Sequence, residues 1–198
     1  LFNIKGKVAV VTGGSRGIGE MITSGFLANG VKVYISARKA PALIEKAKEL
    51  TDKYGQECIA VPCDLSSIEG MEEFTDLISQ KEEGIDFLVN NAGAAWGEPY
   101  ETFSEKGWDK VMDLNVKSMF FLTQKMTNLL LKRASLEDPS RVINIGSIDG
   151  LNVPALETFS YSASKAAVHH LTRVMAAKLV KENILVNAIA PGPYPSAM

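Results

Sequence analysis

The stretch VAVVTGGSRGIG, from Val8 to Gly19, decides the fold of this 198-residue chain. Its first five residues, Val8 to Thr12, are apolar or β-branched and predict a strand buried on both faces. Ile18, Ile22 and Phe26 then recur at helical spacing. A glycine-rich turn between a buried strand and a helix can bring backbone N–H groups and the helix dipole to a pyrophosphate. The stretch therefore predicts a nucleotide-binding strand-turn-helix unit.

The glycine spacing in this turn is Gly13-x3-Gly17-x-Gly19, which differs from the G-x-G-x-x-G of the common dinucleotide fingerprint. Glycine suits such a turn because a side chain would block the approach of the phosphate, or of the helix to the strand. The spacing alone leaves two alternatives open. One is a glycine-rich turn without a ligand, and the other is a fold that binds S-adenosylmethionine through a similar loop.

A second feature, at the end of the next apolar run, bears on the cofactor. The sequence there reads ISARK, from Ile35 to Lys39. In NAD-binding folds an Asp or Glu about 20 residues past the loop binds the ribose 2′-hydroxyl. Here Arg38 and Lys39 stand in place of a carboxylate, and Arg16 lies in the loop. Because guanidinium groups bind phosphate through paired hydrogen bonds, the pattern favours NADP(H) over the alternative of a solvated basic turn.

Short apolar runs recur along the whole chain and alternate with stretches of helical period. The runs are Val8 to Thr12, Val31 to Ser36, Cys58 to Pro62, Phe87 to Asn90, Val142 to Ile145 and Leu185 to Ile189. Such alternation predicts a parallel α/β sheet with helices on its faces. No repeat, low-complexity tract or Pro/Ser-rich linker divides the sequence, so we interpret residues 1–198 as one domain.

The composition, with 46% hydrophobic and 22% charged residues, is that of an ordinary globular domain. Lysine and arginine number 21 against 23 aspartates and glutamates, and no basic stripe stands out. This argues against nucleic-acid and membrane partners and favours a small-molecule substrate. Cys58 and Cys63 match no metal or redox spacing, so we expect no metal and a reduced, cytoplasmic protein. The chain begins at Leu1 rather than a methionine, which leaves a removed organellar leader as an alternative.

A long helical stretch, Ser104 to Lys132, carries Asn115 on a face that should be buried. The apolar residues of that face are Trp108, Val111, Met112, Met119, Leu122 and Met126. An amide on such a face has either a helix-packing role or a functional one.

A second helical stretch, Phe159 to Lys181, carries Tyr161 and Lys165 in line with the core-facing Val168 and Met175. Tyrosine and lysine at i and i+4 are neighbours on a helix, and an adjacent ammonium favours the phenolate. We expect a proton-transfer pair in which Lys165, helped by the cationic nicotinamide of an oxidised cofactor, moves the pKa of Tyr161 from about 10 towards about 7. The alternative is a lysine that extends past the core to reach water.

Several motifs now stand in a fixed order, and through them the chain resembles the short-chain dehydrogenase/reductase family. The matching residues are Thr12, Gly13, Gly17 and Gly19 of the glycine motif; Asn90, Asn91, Ala92 and Gly93 of the NNAG signature; Asn115, Ser147, Tyr161 and Lys165 of the catalytic tetrad; Pro191 and Gly192; and Asp64 after the third strand. Arg16 stands where the extended branch of the family has its middle glycine, which favours the short branch.

The resemblance implies a Rossmann-type doubly wound sheet of order 3-2-1-4-5-6, whose final strand we expect to be missing because the chain ends soon after Pro191-Gly192. It implies that Ser147 binds the substrate carbonyl, Tyr161 donates a proton, Lys165 binds the nicotinamide ribose and Asn115 holds a water. The residues expected to bind NADP(H) are Gly13, Ser15, Arg16, Gly17, Ile18, Gly19, Arg38, Lys39, Asp64, Leu65, Asn91, Ala92, Gly93, Tyr161, Lys165, Pro191 and Gly192.

The substrate implied by the resemblance is a 3-oxoacyl thioester, carried on a carrier protein or on CoA. The segments NIGSIDG, YSASKAAVHHL and NAIAPGPYPSAM resemble β-ketoacyl carrier-protein reductases, in particular the type named for rhamnolipid biosynthesis. Leu151, Val153, Leu156 and Trp96 are expected to form an apolar substrate wall. A broad-specificity ketone reductase and a non-catalytic NADP(H)-binding sensor remain as alternatives. The family also implies a homodimer or homotetramer.

Two adjacent histidines, His169 and His170, face different directions from a helix and cannot form a metal pair by themselves. We expect surface or packing roles for both.

Overall fold

Six parallel strands form one sheet in residues 3–193, the part of the chain that the computed structural model describes. The strands are β1 (Val8–Thr12), β2 (Lys32–Ala37), β3 (Cys58–Pro62), β4 (Phe87–Asn90), β5 (Ser140–Ile145) and β6 (Ile184–Ile189). Their order is β3-β2-β1-β4-β5-β6, and every neighbouring pair is parallel. The predicted Rossmann-type sheet is confirmed.

Helices connect successive strands and cover both faces of the sheet. They are α1 (Gly17–Ala28), α2 (Ala40–Tyr54), α3 (Ile68–Ser79), α4 (Glu105–Met112), α5 (Ser118–Leu131) and α6 (Phe159–Leu179). Alternate residues of β1 point to opposite faces: Val10 packs with the cluster that includes α3, α5 and α6, and Val11 with the cluster that includes α1 and α2. The strands are therefore buried on both sides, as their continuous apolar runs predict.

The stretch predicted as one helix from Ser104 to Lys132 contains a π-helical turn, Asp113–Lys117, between α4 and α5. Its signature is the Ser118 N–H, which donates to the Asp113 carbonyl five residues back. This extra residue shifts the buried face by one position between the two helices. Gly107 and Val111 are therefore buried on α4, whereas Trp108, predicted to lie in the apolar stripe, is 42% exposed. Single π turns are frequent at functional sites, and this one holds Asn115.

The connection order places β1 and β4 side by side at the centre of the sheet, where the winding reverses direction. In open α/β sheets a ligand cleft forms at this point, outside the carboxyl ends of the strands. None of the helices in residues 3–193 combines the length and the apolar character needed to cross a membrane.

Candidate active site

The turn between β1 and α1 has the backbone of a phosphate cradle. Gly13 and Gly17 have φ angles of 63° and 55°, in the left-handed region that glycine occupies without strain. A Cβ added to Gly19 would lie 2.2 Å from the Gly13 carbonyl oxygen, so only glycine fits there. Helix α1 starts without a side-chain cap from Arg16, which leaves its first N–H groups available for an anion. The residues present therefore fit a pyrophosphate.

The NNAG segment after β4 holds this turn in place. The Asn91 side-chain amide donates to the carbonyls of Thr12 at 2.9 Å and Gly13 at 3.2 Å. In return, the Thr12 hydroxyl oxygen accepts the backbone N–H groups of Asn91 and Ala92, both at 2.9 Å. Four hydrogen bonds thus tie the ends of two neighbouring strands together.

Basic side chains lie at the end of β2, as the sequence predicts. Arg16, Arg38 and Lys39 are exposed and line the same cleft. Asp64, after β3, lies in this part of the cleft as well. Hydrogen bonds from the Ser66 backbone N–H and hydroxyl lower the pKa of Asp64, so this carboxylate is ionised at neutral pH.

Lys165 is buried in α6 with only 6% of its surface exposed. Its Nζ donates to the Ile145 carbonyl oxygen at 2.7 Å and lies 5.6 Å from the centre of the Tyr161 ring. Burial lowers the pKa of Lys165 to about 8 from the ordinary 10.5. The lysine therefore follows the core-facing stripe, as predicted, and does not extend to water.

In the protein without a dinucleotide the pKa of Tyr161 is raised, so the predicted lowering, which includes the charge of an oxidised cofactor, stays a prediction. Burial of the phenol has the largest effect and raises its pKa; a hydrogen bond with Ser147 lowers it, and the Asp149 carboxylate raises it. Lys165 is not among the groups that shift this pKa; its ammonium donates to the Ile145 carbonyl and lies 5.6 Å from the centre of the phenol ring. Tyr161 therefore keeps its proton at neutral pH.

Asn115 is buried, and its side chain is held by three hydrogen bonds. Oδ1 accepts the Ala94 N–H at 2.8 Å, and Nδ2 donates to the Ala94 carbonyl at 2.9 Å and to Ser164 Oγ at 2.9 Å. It thus joins the segment after the NNAG signature to the helix that carries Tyr161. The predicted water-binding role of Asn115 stays a prediction.

One cleft of about 1160 Å³ contains most of the predicted site residues. Those that line it are Gly13, Ser15, Arg16, Ile18, Arg38, Lys39, Asp64, Leu65, Asn91, Ala92, Gly93, Ser147, Tyr161, Lys165, Pro191 and Gly192. Gly17, Gly19 and Asn115 do not line it; the two glycines shape the turn, and Asn115 lies behind the cleft wall.

The predicted apolar substrate wall is only partly correct. Leu156 lines the cleft, but Leu151, Val153 and Trp96 do not. Trp96 packs instead against Gly107, and the Lys110 ammonium lies 4.5 Å from the centre of its ring.

Other cleft residues were not singled out from the sequence. Among them are Ser36, Ala37, Cys63 and Leu114, of which the first three lie at the carboxyl ends of β2 and β3. Their position at those strand ends was the signal that could have found them. No three His, Cys, Asp or Glu side chains of residues 3–193 come together in a way that could hold a metal ion.

A profile of the short chain dehydrogenase family matches residues 7–198. The chain belongs to this family. The prediction of the family, and with it the assignment as an oxidoreductase, is confirmed.

Two named enzymes and a solved structure are similar to this chain. The chain is 47% identical, over 197 residues, to a rhamnolipids biosynthesis 3-oxoacyl-[acyl-carrier-protein] reductase from Pseudomonas aeruginosa, covering 100% of this chain and 76% of the relative. It is 38% identical to a 2-dehydro-3-deoxy-D-gluconate 5-dehydrogenase from Escherichia coli, covering 96% of this chain and 73% of that one. The solved Pseudomonas aeruginosa RhlG/NADP active-site complex superimposes with a TM-score of 0.95 at 46% identity, covering 99% of this chain and 76% of that structure.

Proposed function

We propose that this protein is an NADPH-dependent reductase that converts a ketone to a secondary alcohol, and that its substrate is a 3-oxoacyl thioester. One observation carries the proposal: Ser147, Tyr161 and Lys165 line the same cleft as the glycine-rich turn and Arg38. A dinucleotide bound along that turn would therefore have its reactive end beside a hydroxyl, a phenol and an ammonium group.

The choice of NADP(H) rests on charge and on a relative. Arg16, Arg38 and Lys39 stand where a ribose 2′-phosphate would need cations, and the described cleft residues offer no carboxylate at the end of β2 for a 2′-hydroxyl. A relative at 46% identity was solved as an NADP complex. The bound dinucleotide supplies the hydride that is added to the carbonyl carbon.

The chain's own groups handle the carbonyl oxygen. Ser147 donates a hydrogen bond to this oxygen, and Tyr161 gives it a proton as negative charge develops there. Lys165 binds the nicotinamide ribose, and its positive charge stabilises the phenolate that Tyr161 becomes. A proton from solvent then restores the phenol. Asn115 holds the water that we propose for this last transfer.

The protonation states of the pair suit reduction. Burial raises the pKa of Tyr161, so the phenol enters the reaction with the proton that reduction consumes. Lys165, with a pKa lowered to about 8, is still mostly charged at pH 7. The reverse reaction would need the phenolate and is therefore favoured only at higher pH.

Two observations support the thioester as substrate: the apolar residues of the cleft and the names of the relatives. Pro154, Ala155 and Leu156 line the same cleft as Tyr161 and offer apolar surface to an aliphatic chain. A relative at 47% identity is a 3-oxoacyl-[acyl-carrier-protein] reductase. We propose a carrier protein or CoA as the acyl carrier, and a homodimer or homotetramer as the assembly, which light scattering would measure.

The test follows NADPH and NADH oxidation with short and long 3-oxoacyl thioesters and with simple ketones. We expect turnover with the thioesters, a preference for NADPH, and loss of at least about 10³-fold in kcat for Tyr161→Phe. Tyr54→Phe, on α2 away from the cleft lining, is the matched control and should behave as the wild type.

Three outcomes would contradict the proposal. A preference for NADH would refute the role of Arg38, and full activity of Tyr161→Phe would refute the mechanism. NADPH binding without turnover of any ketone would instead indicate a dinucleotide sensor.

A further inference from the structure

His169 lies next to the catalytic pair on α6, one turn after Lys165 and two turns after Tyr161. Its Nε2 is 2.9 Å from the Ser147 carbonyl oxygen. The same atom also lies 3.4 Å from the Ser147 backbone nitrogen, but one ring nitrogen cannot both donate to the carbonyl and accept the N–H. We assign the shorter contact as the hydrogen bond, which places hydrogen on Nε2. The expected packing role of His169 is therefore more specific: it donates to the backbone of the residue that is to bind the substrate carbonyl.

The Ser147 carbonyl needs this donor because it lies beyond the end of β4. The N–H groups of Gly146 and Ile148 donate towards β6, to Ile189 at 2.8 Å and Pro191 at 3.1 Å. Backbone groups alternate in direction along an extended chain, so those of Ser147 point to the opposite side.

On that opposite side, the last pairing of β4 with β5 is Asn90 with Asn144. The two carbonyls that follow on this side, those of Ile145 and Ser147, receive their hydrogen bonds from α6. Lys165 Nζ donates to the first at 2.7 Å and His169 Nε2 to the second at 2.9 Å. Two side chains one helical turn apart thus replace the missing strand partner.

The imidazole also packs directly on the backbone next to Ser147. A Cβ added to Gly146 would lie 2.3 Å from His169 Cε1 and 2.7 Å from Nε2, so the ring fills the space that a side chain would occupy. Ser147 is held in an extended conformation, with φ −165° and ψ 155°. Its Oγ accepts the Asp149 N–H at 3.1 Å, which also restrains the hydroxyl.

We propose that His169 is a positioning residue, which fixes the backbone of Ser147 so that its hydroxyl meets the substrate carbonyl oxygen. This inference rests on the proposed function of Ser147. His169 does not line the cleft and is not a catalytic residue. Its neighbour His170 is exposed, and among residues 3–193 its side chain makes one hydrogen-bond contact, with Arg173 at 3.4 Å, which makes it a matched control.

The test compares His169→Phe, His169→Gln and His170→Phe in the full chain. Phenylalanine keeps a ring against Gly146 but has no donor, whereas the glutamine amide can place an N–H near the position of Nε2. We expect His169→Phe to lower kcat about 10-fold with KM and NADPH affinity within about 2-fold. His169→Gln should recover most of that loss, and His170→Phe should match the wild type.

A double-mutant cycle separates positioning from general destabilisation. In a Ser147→Ala background, His169→Phe should cause no further loss of kcat, because there is no hydroxyl left to position. An additive loss in that background, or wild-type kcat in His169→Phe alone, would overturn the inference.

A second readout does not depend on turnover. Hydrogen–deuterium exchange of the segment 145–150 should be about 10-fold faster in His169→Phe than in His170→Phe, because the released carbonyl lets this segment open. Equal exchange in the two variants would overturn the inference even if the wild type reduces ketones. Faster exchange in a protein that reduces no ketone would support the His169 contact while refuting the proposed function.

Discussion

Replacing Lys165 by methionine should change how the stability of the protein depends on pH. Burial lowers the pKa of Lys165 to about 8 from 10.5. At about 1.4 kcal/mol per pKa unit, this difference corresponds to about 3 kcal/mol of unfavourable free energy when the lysine is charged in the folded protein.

The sign follows from proton binding. Between pH 8 and 10.5 the unfolded chain holds a proton on Lys165 that the folded chain has released, so the free energy of unfolding rises with pH. The unfavourable free energy of burying the charged lysine is fully present below about pH 8 and disappears above about pH 10.5. Methionine has no charge, so Lys165→Met removes this pH dependence. The variant also leaves the Ile145 carbonyl without its partner, a roughly constant cost of about 1–3 kcal/mol.

The assay is urea unfolding of the wild type and Lys165→Met without dinucleotide, at pH 7, 8.5 and 10. Between pH 7 and pH 10, the free energy of unfolding of the wild type should rise by about 2–3 kcal/mol relative to that of the variant. Lys178→Met is the matched control, because Lys178 is exposed on the same helix. The difference in unfolding free energy between this variant and the wild type should not change with pH. A flat difference for Lys165→Met as well would show that Lys165 is not desolvated and would refute this explanation of its pKa.

Three further outcomes are expected. Gly19→Ala should lower the free energy of unfolding by about 1–3 kcal/mol or more and abolish dinucleotide binding, because the new methyl group would collide with the Gly13 carbonyl. Gly25→Ala, which has open space around it on the same helix, should raise the free energy of unfolding by about 0.5–1 kcal/mol. Equal effects of the two variants in urea unfolding would contradict this steric explanation. Cys58, which is buried and whose pKa is raised by burial to about 12, should react with a thiol reagent at pH 8 about 10³-fold more slowly than an ordinary thiol until urea unfolds the chain. The measurement uses Cys63→Ala, because Cys63 lines the cleft, and fast labelling would contradict the burial of Cys58. Arg38→Leu should raise KM for NADPH about 10-fold or more and leave KM for NADH unchanged, and a parallel rise in both would show that Arg38 does not bind the 2′-phosphate.

The strands were predictable because they depend on patterns that are local in sequence, whereas their order was implied by the family resemblance. Runs such as Val8 to Thr12 are apolar throughout, and this alone indicates strands covered on both faces. The glycine positions were predictable for a similar reason, since Gly13, Gly17 and Gly19 each have a backbone conformation or a close contact that a side chain would disturb. The π turn at Asp113–Lys117 was not, because one extra residue leaves the apolar period almost unchanged and shifts only which side chain is buried.

Contacts between distant residues decided the parts of the site that the sequence could not show. Tyr161 and Lys165 are neighbours on a helix, and this spacing suggests an ion-stabilised phenolate. The direction of the Lys165 side chain depends instead on the Ile145 carbonyl, 20 residues earlier. This carbonyl lies beyond the last pairing of β5 with β4 and therefore has no partner in that strand. His169 depends in the same way on the Ser147 carbonyl, 22 residues away.

Burial moves the two pKa values of the catalytic pair in opposite senses, and this explains why the pair is suited to reduction. It raises the pKa of Tyr161 and lowers that of Lys165 to about 8. A phenolate beside a charged lysine is therefore costly in the protein alone, although the spacing of the pair suggests it. A phenol that holds its proton until charge appears on the substrate oxygen is the acid that ketone reduction needs. The low acidity of Tyr161 thus protects the proton until the reacting group is in place.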